Sequence, residues 1–250
     1  MKIFDLTQPW GIDSWPWPGY PTPKLYYIKK LATNRVNGQM IETPTHISTH
    51  LDGPLHFVSN GRDIASISLE ELCGEGVIVD VSDEVGEWDI IKPEHITKKM
   101  RVKEGDILII HTGFHKYSIE SKTADEEKYM CRHPGPYLEF AQWALEMKLK
   151  WIGVDCGSAD HPMNGAIRNL RPDLKQEFEK KIGKPVLEVF PEENYHLMHT
   201  KLFPKGLIHV ENIGGEIEKL LNKRLFIGCF PMKIKDGEAA PCRVVAFLNR

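Results

Sequence analysis

The order of short apolar runs along the 250-residue sequence sets the strongest limit on its fold. Most runs are rich in Val and Ile and are bounded by Gly, Pro or Asp, which is typical of β-strands. They cover residues 3–6, 25–31, 77–81, 107–110, 151–155, 207–210, 225–230 and 244–248. Helical patterns lie between some of them, at 135–150 and, more briefly, at 68–72, 93–100, 173–181, 192–202 and 216–221. This alternation predicts a single α/β domain over residues 1–250 with a mixed central sheet.

Residues 7–23 form a segment that no regular element can accommodate, with five prolines and three tryptophans. We expect this N-terminal arm to pack on its own domain or on a second subunit. Its aromatic side chains also suit the wall of a pocket for an aromatic or apolar ligand, with Trp15, Trp17 and Tyr20 as the candidates.

The stretch THISTHLDGPLHF (45–57) places His46, His50, Asp52 and His56 at even-numbered positions. In an extended chain these side chains point to one side, and the apolar residues between them point to the other. A straight strand would separate His46 from His50 by ~13 Å, too far for two ligands of one ion. We therefore predict a bend or a single helical turn near residues 48–49.

Two imidazoles and one carboxylate form a donor set that suits Zn²⁺, and also Mn²⁺ or Fe²⁺. His56 lies four residues beyond Asp52 and is open to two interpretations, as a further ligand or as a general base. The base role is favoured, because a catalytic ion must keep positions open for water and substrate. The sequence thus predicts a divalent metal centre.

Residues 46–56 resemble the HxGTHxDxPxH signature of the cyclase family of metal-dependent hydrolases, which includes bacterial kynurenine formamidase and isatin hydrolase. The matching residues are His46, Thr49, His50, Asp52, Pro54 and His56, and Ser48 stands in place of the family's glycine. Segments 16–23, 105–114, 152–162 and 199–215 are similar to further family motifs in the same order. The HTG triplet at 111–113 replaces a more usual version that contains arginine.

The resemblance implies a swivelling β/α/β-type fold and a one- or two-metal centre. His46, His50 and Asp52 would hold the first ion, and Asp52, His199 and Glu211 would complete a second site or the far side of the first. His56 would act on the water. The family also implies a homodimer or homotetramer, to which the N-terminal arm is a plausible contributor.

Residue chemistry alone leaves His196 and His161 open as alternatives to His199. The twelve-residue interval to Glu211 favours His199. Cys156 is a possible nucleophile, although a small buried side chain is the favoured interpretation.

The predicted function is hydrolysis of a small-molecule amide, an aryl formamide or a cyclic amide, in the manner of an arylformamidase. The aromatic part of such a substrate would face Trp15, Trp17, Tyr20 and Phe57, and Ser158 would orient it. Three alternatives stay open: a lactone or imide hydrolase of the same family, a non-haem iron oxygenase with two histidines and one carboxylate, and a non-catalytic metal-binding module.

Charge and cysteine usage narrow the partners and the compartment. The formal net charge is −3, and no basic patch indicates a nucleic-acid partner. No run of about 18 apolar residues predicts a membrane span, and the N-terminus lacks the apolar core of a signal peptide. The five cysteines are odd in number, widely spaced and without a CxxC pair, which favours reduced thiols and a cytoplasmic protein.

Overall fold

Eight strands form one mixed sheet whose two ends meet. The computed structural model describes residues 1–248. Within them, the main sheet and two separate two-stranded sheets, β2 with β3 and β6 with β8, are built from β1 (Lys2–Asp5), β2 (Lys24–Lys29), β3 (Gly38–Glu42), β4 (His50–Asp52), β5 (Cys73–Asp80), β6 (Ile90–Ile91), β7 (Ile107–His111), β8 (Gly135–Pro136), β9 (Trp151–Val154), β10 (Ile208–Glu211), β11 (Lys223–Pro231) and β12 (Ala239–Leu248). The strand order of the main sheet is β1-β12-β11-β5-β7-β9-β10-β4, and a further pairing of β12 with β4 closes it like a barrel. The predicted mixed α/β fold is confirmed.

Strand direction divides the sheet into two halves. Strands β5, β7, β9 and β10 run parallel to one another, whereas β1, β11, β12 and β4 pair antiparallel with their neighbours. The parallel strands therefore deliver their carboxyl ends to one edge, which is where ligand sites form in open α/β sheets. Asp80, His111 and Glu211 are the last residues of β5, β7 and β10, and Asp155 follows β9 directly.

The helices are short and lie mainly outside the sheet. They are α1 (Leu31–Asn34), α2 (Leu69–Leu72), α3 (Pro93–Thr97), α4 (Leu138–Glu146), α5 (Ile167–Leu170), α6 (Pro172–Ile182), α7 (Val186–Val189) and α8 (Leu197–Leu202). The predicted helix at 135–150 is shorter than its pattern, because residues 135–136 form β8 and the chain turns after Glu146. The predicted helix at 216–221 is a single 3-10 turn.

Two apolar layers cover the faces of the sheet. Leu51, Ile109 and Trp151 belong to the layer enclosed by the barrel. Val79, Ile110 and Phe140 belong to the other layer, where α4 and α8 pack on the parallel strands. Trp151 and Phe140 are fully buried, so both layers are well packed around the strands that carry the polar residues.

The N-terminal arm packs on its own domain. An isolated bridge joins Pro16 to Ile47, and the Trp17 amide donates to the His46 carbonyl at 3.0 Å. The arm therefore runs beside the histidine-rich stretch. Across residues 1–248, no helix is both long and apolar enough to cross a bilayer.

Candidate metal centre

Strand β4 brings the histidine-rich stretch into the middle of the sheet. It lies between β10 and β12, and its register places His50 opposite Glu211 and Asp52 opposite His209. All four side chains are buried, with exposed fractions of 2% or less. The closing strand of the barrel thus carries its polar residues directly against those of the neighbouring parallel strand.

A sharp bend precedes β4, as predicted. Ser48 adopts a left-handed backbone conformation with φ of 52°, where the family signature has a glycine. The Ser48 hydroxyl lies 2.9 Å from the Gln8 carbonyl oxygen and 3.0 Å from that of Pro9, so it is held by the N-terminal arm. The bend brings the rings of His46 and His50 to a centroid separation of 5.1 Å. The bend thus turns both imidazoles toward the same carboxylate, that of Asp52.

One oxygen of Asp52 faces two imidazoles. Asp52 Oδ1 lies 3.0 Å from His46 Nδ1 and 3.3 Å from His50 Nε2. Glu211 Oε2 lies 3.6 Å from the same His50 nitrogen. Donor atoms of His50, Asp52 and Glu211 all lie within 4.8 Å of one another and could contact one ion, whereas His46 belongs to a second such set with Asp52 and His56.

The other oxygen of Asp52 faces a second group. Asp52 Oδ2 lies 3.4 Å from His199 Nε2, and Glu211 Oε1 lies 3.8 Å from that nitrogen. Asp52 and Glu211 therefore each direct one oxygen toward each group. His199, His209 and Glu211 form a further set of donor atoms within 4.8 Å of one another, so a metal ion could also be held on this side of Glu211.

The outer nitrogen of each imidazole is held by an oxygen atom. His46 Nε2 donates to Glu238 Oε2 at 2.7 Å, and His199 Nδ1 donates to Asp160 Oδ2 at 2.6 Å. His50 Nδ1 lies 2.9 Å from the Ser48 carbonyl oxygen. Because each outer nitrogen donates its proton, each inner nitrogen presents a lone pair to the two carboxylates, which is the pattern of metal-binding histidines.

Unpaired buried atoms show that these residues fit a metal. His50 Nε2 and Asp52 Oδ1 are buried and have no hydrogen-bond partner. Buried polar atoms nearly always have a hydrogen-bond partner in folded proteins. The lack of one at these two atoms is therefore consistent with a bound metal ion. The Ala159 amide and the Ser158 hydroxyl donate to Glu211 Oε1 at 2.7 and 3.1 Å and orient that carboxylate.

The electrostatic field of the site favours positive charge. Burial lowers the pKa of His46, but the charge of Asp52 and hydrogen bonds to Asp52 and Glu238 outweigh it and raise the pKa to about 11. Burial also lowers the pKa of His199, but the charge of Asp160 and hydrogen bonds to Asp160 and Asp52 outweigh it and raise the pKa to about 10. Burial and the charge of Asp52 raise the pKa of Glu211. Protons on the histidines or a bound divalent cation can neutralise the negative charge of these carboxylates.

His56 occupies a different electrostatic position from the other histidines. Its Nδ1 lies 2.8 Å from Glu238 Oε2, and its ring packs on that of His46 at 4.2 Å. Burial lowers the pKa of His56 despite the hydrogen bond to Glu238, so the imidazole is neutral near pH 7. With Nδ1 protonated by its contact with Glu238, Nε2 is free to accept a proton.

A cavity of about 170 Å³ opens onto these atoms. Its lining includes four of the five predicted substrate-binding residues, Trp17, Tyr20, Phe57 and Ser158, together with His46, Asp52, His56, Ala166, His196, His199 and Glu211. Trp15 does not line this cavity, contrary to our expectation. It packs against Tyr129 at a ring separation of 6.3 Å, whereas Trp17 lies 6.2 Å from Tyr20 at the cavity, because the two rings have different aromatic partners although both border one apolar cluster.

The structure separates His199 from the alternatives that the sequence left open. His196 Nδ1 lies 3.2 Å from Asp160 Oδ2, and its Nε2 accepts the Ala166 amide at 3.2 Å. His161 lies elsewhere, with Nε2 donating to the Trp88 carbonyl. Cys156 is fully buried, and burial raises the pKa of its thiol well above the ordinary value, as expected of an inert side chain.

Three polar residues of the site were not assigned to it from the sequence. Glu238 links His46 to His56, and Asp160 holds His199. His209 is fully buried, both its ring nitrogens lack partners, and a donor atom of it lies within 4.8 Å of donor atoms of His199 and Glu211. The parity of His209 and Glu211 on one strand was a usable signal for His209, whereas the surroundings of Glu238 in the sequence held none.

Comparison with known proteins places this geometry in context. A family model described as "Putative cyclase" matches residues 4–161. A kynurenine formamidase of Bacillus thuringiensis subsp. konkukian is 23% identical and covers 96% of this chain and 95% of its own length. An uncharacterized protein of Methanocaldococcus jannaschii is 23% identical over 99% of this chain and 100% of its own length. Among solved structures, isatin hydrolase A from Labrenzia aggregata has a TM-score of 0.79 at 20% identity, covering 100% of this chain and 94% of that one.

Proposed function

Because this chain belongs to the cyclase family, we propose that it is a metal-dependent hydrolase that cleaves the carbon–nitrogen bond of a small amide. The observation that carries this proposal is the inward aim of three imidazole nitrogens at two shared carboxylates, next to a neutral histidine. The relative described as a kynurenine formamidase supports an aryl formamide as the substrate class. The neighbour described as an isatin hydrolase supports a cyclic amide.

The chain's own donors suit one or two divalent cations, with zinc or manganese as the proposed metal. His46, His50 and Asp52 would hold one ion, and His199 with the second oxygens of Asp52 and Glu211 would hold another. When bound, the metal supplies a Lewis acid that polarises the substrate carbonyl and lowers the pKa of a water molecule.

His56 is the proposed general base and acid. Its Nδ1 is held by Glu238, so Nε2 accepts the proton of the attacking water as the new carbon–oxygen bond forms. The same nitrogen returns the proton to the departing nitrogen as the carbon–nitrogen bond breaks. Glu238 keeps the ring in the required orientation and stabilises the imidazolium that exists between the two transfers.

The cavity walls support a substrate with an aromatic part. Trp17, Tyr20 and Phe57 supply apolar surface, and Phe57 lies 4.7 Å from the ring of His199. A volume of about 170 Å³ suits one small ring system with a single polar group. The Ser158 hydroxyl faces the same cavity, but it donates to Glu211, so its proposed contribution is to orient that carboxylate.

A substrate panel tests the proposal. Purified protein loaded with Zn²⁺ or Mn²⁺ should hydrolyse N-formyl anilides or isatin-like cyclic amides, and His56→Ala should lower turnover by ~10²–10⁴ while retaining the metal. Lactones and imides are tested beside them. Hydrolysis of these compounds alone would indicate a lactone or imide hydrolase of the same family instead of an amide hydrolase. Turnover that needs oxygen and Fe²⁺ would instead identify an oxygenase. Metal binding without any turnover would leave the binding-module interpretation.

Assembly and compartment are also proposals. Strands β2 and β3 form a separate two-stranded hairpin with Tyr26, Tyr27 and Ile41 about half exposed. Such a hairpin is marginally stable alone in water, so we propose that it contacts a second copy of the chain in a homodimer or homotetramer. Light scattering would show a monomer if this is wrong. All five cysteines carry free thiols, which supports the proposed cytoplasmic location.

A further inference from the structure

Two imidazoles and a carboxylate form a second cluster, separate from the metal centre described above. His111 ends β7, His115 lies in the 3-10 turn that follows, and Asp155 follows β9. One donor atom of each lies within 4.8 Å of the others. His115 Nδ1 is 3.1 Å and His111 Nε2 is 3.8 Å from Asp155 Oδ2. These distances bracket the ~3.4 Å between neighbouring ligands of a tetrahedral zinc ion with ~2.1 Å bonds.

The outer nitrogens of this cluster are held by carboxylates. His111 Nδ1 donates to Asp80 Oδ1 at 2.8 Å, and His115 Nε2 lies 3.3 Å from Glu218 Oε1. Their inner nitrogens therefore face Asp155, in the same pattern as the imidazoles of the metal centre. Carboxylates in this position fix the ring orientation of metal-binding histidines and strengthen them as ligands.

His111 Nε2 gives independent evidence for a ligand. The His111 side chain is 5% exposed, and this nitrogen has no hydrogen-bond partner. At 3.8 Å it is too far from Asp155 Oδ2 for a hydrogen bond, but close enough to share an ion with it. A buried lone pair that faces a carboxylate oxygen across this gap calls for a positive charge between them.

Asp155 is oriented for such a role. Its Oδ1 accepts the Thr112 amide at 2.8 Å and the Thr112 hydroxyl at 2.6 Å, and its Oδ2 accepts the Gly113 amide at 2.9 Å. Metal-binding carboxylates are commonly hydrogen-bonded in this way. The competing occupant of the space beside Oδ2 is a proton carried by His115 Nδ1.

We propose that His111, His115 and Asp155 form a zinc site, distinct from the metal centre, that joins the carboxyl ends of the parallel strands. These three side chains would supply three ligands of a tetrahedral zinc ion, and a water molecule would be the fourth. It links the end of β7, the turn after it and the end of β9, while Asp80 brings in the end of β5. None of the three ligands is among the residues that line the cavity at the metal centre, so we expect the ion to stabilise the fold rather than to act on the substrate.

Zinc stoichiometry in a background without the central ligands tests this site. The full chain carrying Asp52→Asn and Glu211→Gln should retain about one zinc per chain after dialysis, measured by elemental analysis. Adding His111→Gln and His115→Gln should remove it or weaken binding at least 100-fold in competition with a chromophoric chelator. His95→Gln, which alters a histidine outside both clusters, is the matched control. Zinc should raise the melting temperature of the background protein, and EDTA should reverse the rise.

A second measurement keeps the test independent of how the background protein folds. In the otherwise unchanged chain, His111→Gln with His115→Gln should lower the total zinc content by one equivalent and leave amide turnover intact. If the background protein binds no zinc, or the histidine pair changes neither stoichiometry nor affinity, a proton rather than a metal ion occupies the cluster and the proposal is wrong. The zinc content and the zinc affinity do not depend on the substrate of the metal centre.

Discussion

Replacing Asp160 by asparagine should weaken zinc binding at the metal centre through the tautomer of His199. Asp160 Oδ2 accepts from His199 Nδ1 at 2.6 Å, and Oδ1 accepts the Met198 amide at 2.8 Å. An asparagine keeps its carbonyl oxygen on the Met198 amide and turns its NH₂ group toward His199. Two donors cannot face each other, so the His199 proton moves to Nε2, the nitrogen that faces Asp52 and Glu211.

The size of the effect follows from the loss of one ligand lone pair. Removing the outer partner of a metal-binding histidine typically costs 10–100-fold in affinity, or ~1.4–2.7 kcal/mol. Asp160→Asn should fall at or beyond the upper end of this range, because it imposes the wrong tautomer as well as removing a charge. Asp160→Ala leaves either tautomer accessible and should lose less.

Competitive zinc titration of the three proteins distinguishes these mechanisms. The expected order of affinity is wild type, then Asp160→Ala, then Asp160→Asn, which reverses the usual ranking of a conservative substitution. Asp83→Asn, which removes only an exposed partner of Lys99, should bind zinc like the wild type. An Asp160→Asn protein that binds as tightly as the alanine variant or better would refute the tautomer reasoning.

The remaining predictions concern the base, its titration and the bend. His56→Ala should lower kcat by ~10²–10⁴ with unchanged zinc content, measured by steady-state kinetics and elemental analysis. Burial lowers the pKa of His56 from 6.5, and the base must be unprotonated to act. We therefore expect kcat/KM to fall as the pH drops through a value below 6.5, and an acidic limb of the pH profile centred above pH 7 would contradict this. Ser48→Ala keeps the left-handed strain and loses a hydrogen bond, whereas Ser48→Gly relieves the strain, so the glycine variant should be more stable than the alanine variant by ~1 kcal/mol in chemical denaturation.

Local patterns predicted the strands and the histidine-rich stretch well, because both rest on short-range chemistry. Val and Ile runs between Gly, Pro and Asp mark strands wherever one or both faces are buried. The bend near residues 48–49 was predicted from the reach of an extended chain together with the short separation that two ligands of one ion require. Strand β3 was not predicted, because it is exposed, pairs with β2 and lacks a run of buried apolar residues.

The rest of the site depends on pairings that no local pattern encodes. Glu238 reaches His46 across 192 positions of sequence because β12 pairs with β4 and closes the sheet. His199 rather than His196 faces Asp52 because α8 begins at Leu197, where Asp160 Oδ1 binds the Met198 amide. The different direction of Trp15 likewise reflects the path of an irregular arm. Such choices are made by tertiary contacts, which a single sequence does not display.

The strand that closes the barrel, β4, is only three residues long and carries both His50 and Asp52. A metal ion bound by these side chains would therefore also stabilise the pairing of β4 with β10 and β12. Metal binding and closure of the barrel would be thermodynamically coupled. Amide hydrogens along this seam should exchange slowly in the metal-loaded protein and much faster after chelation. Occupancy can thus be read from the backbone, without any substrate in hand.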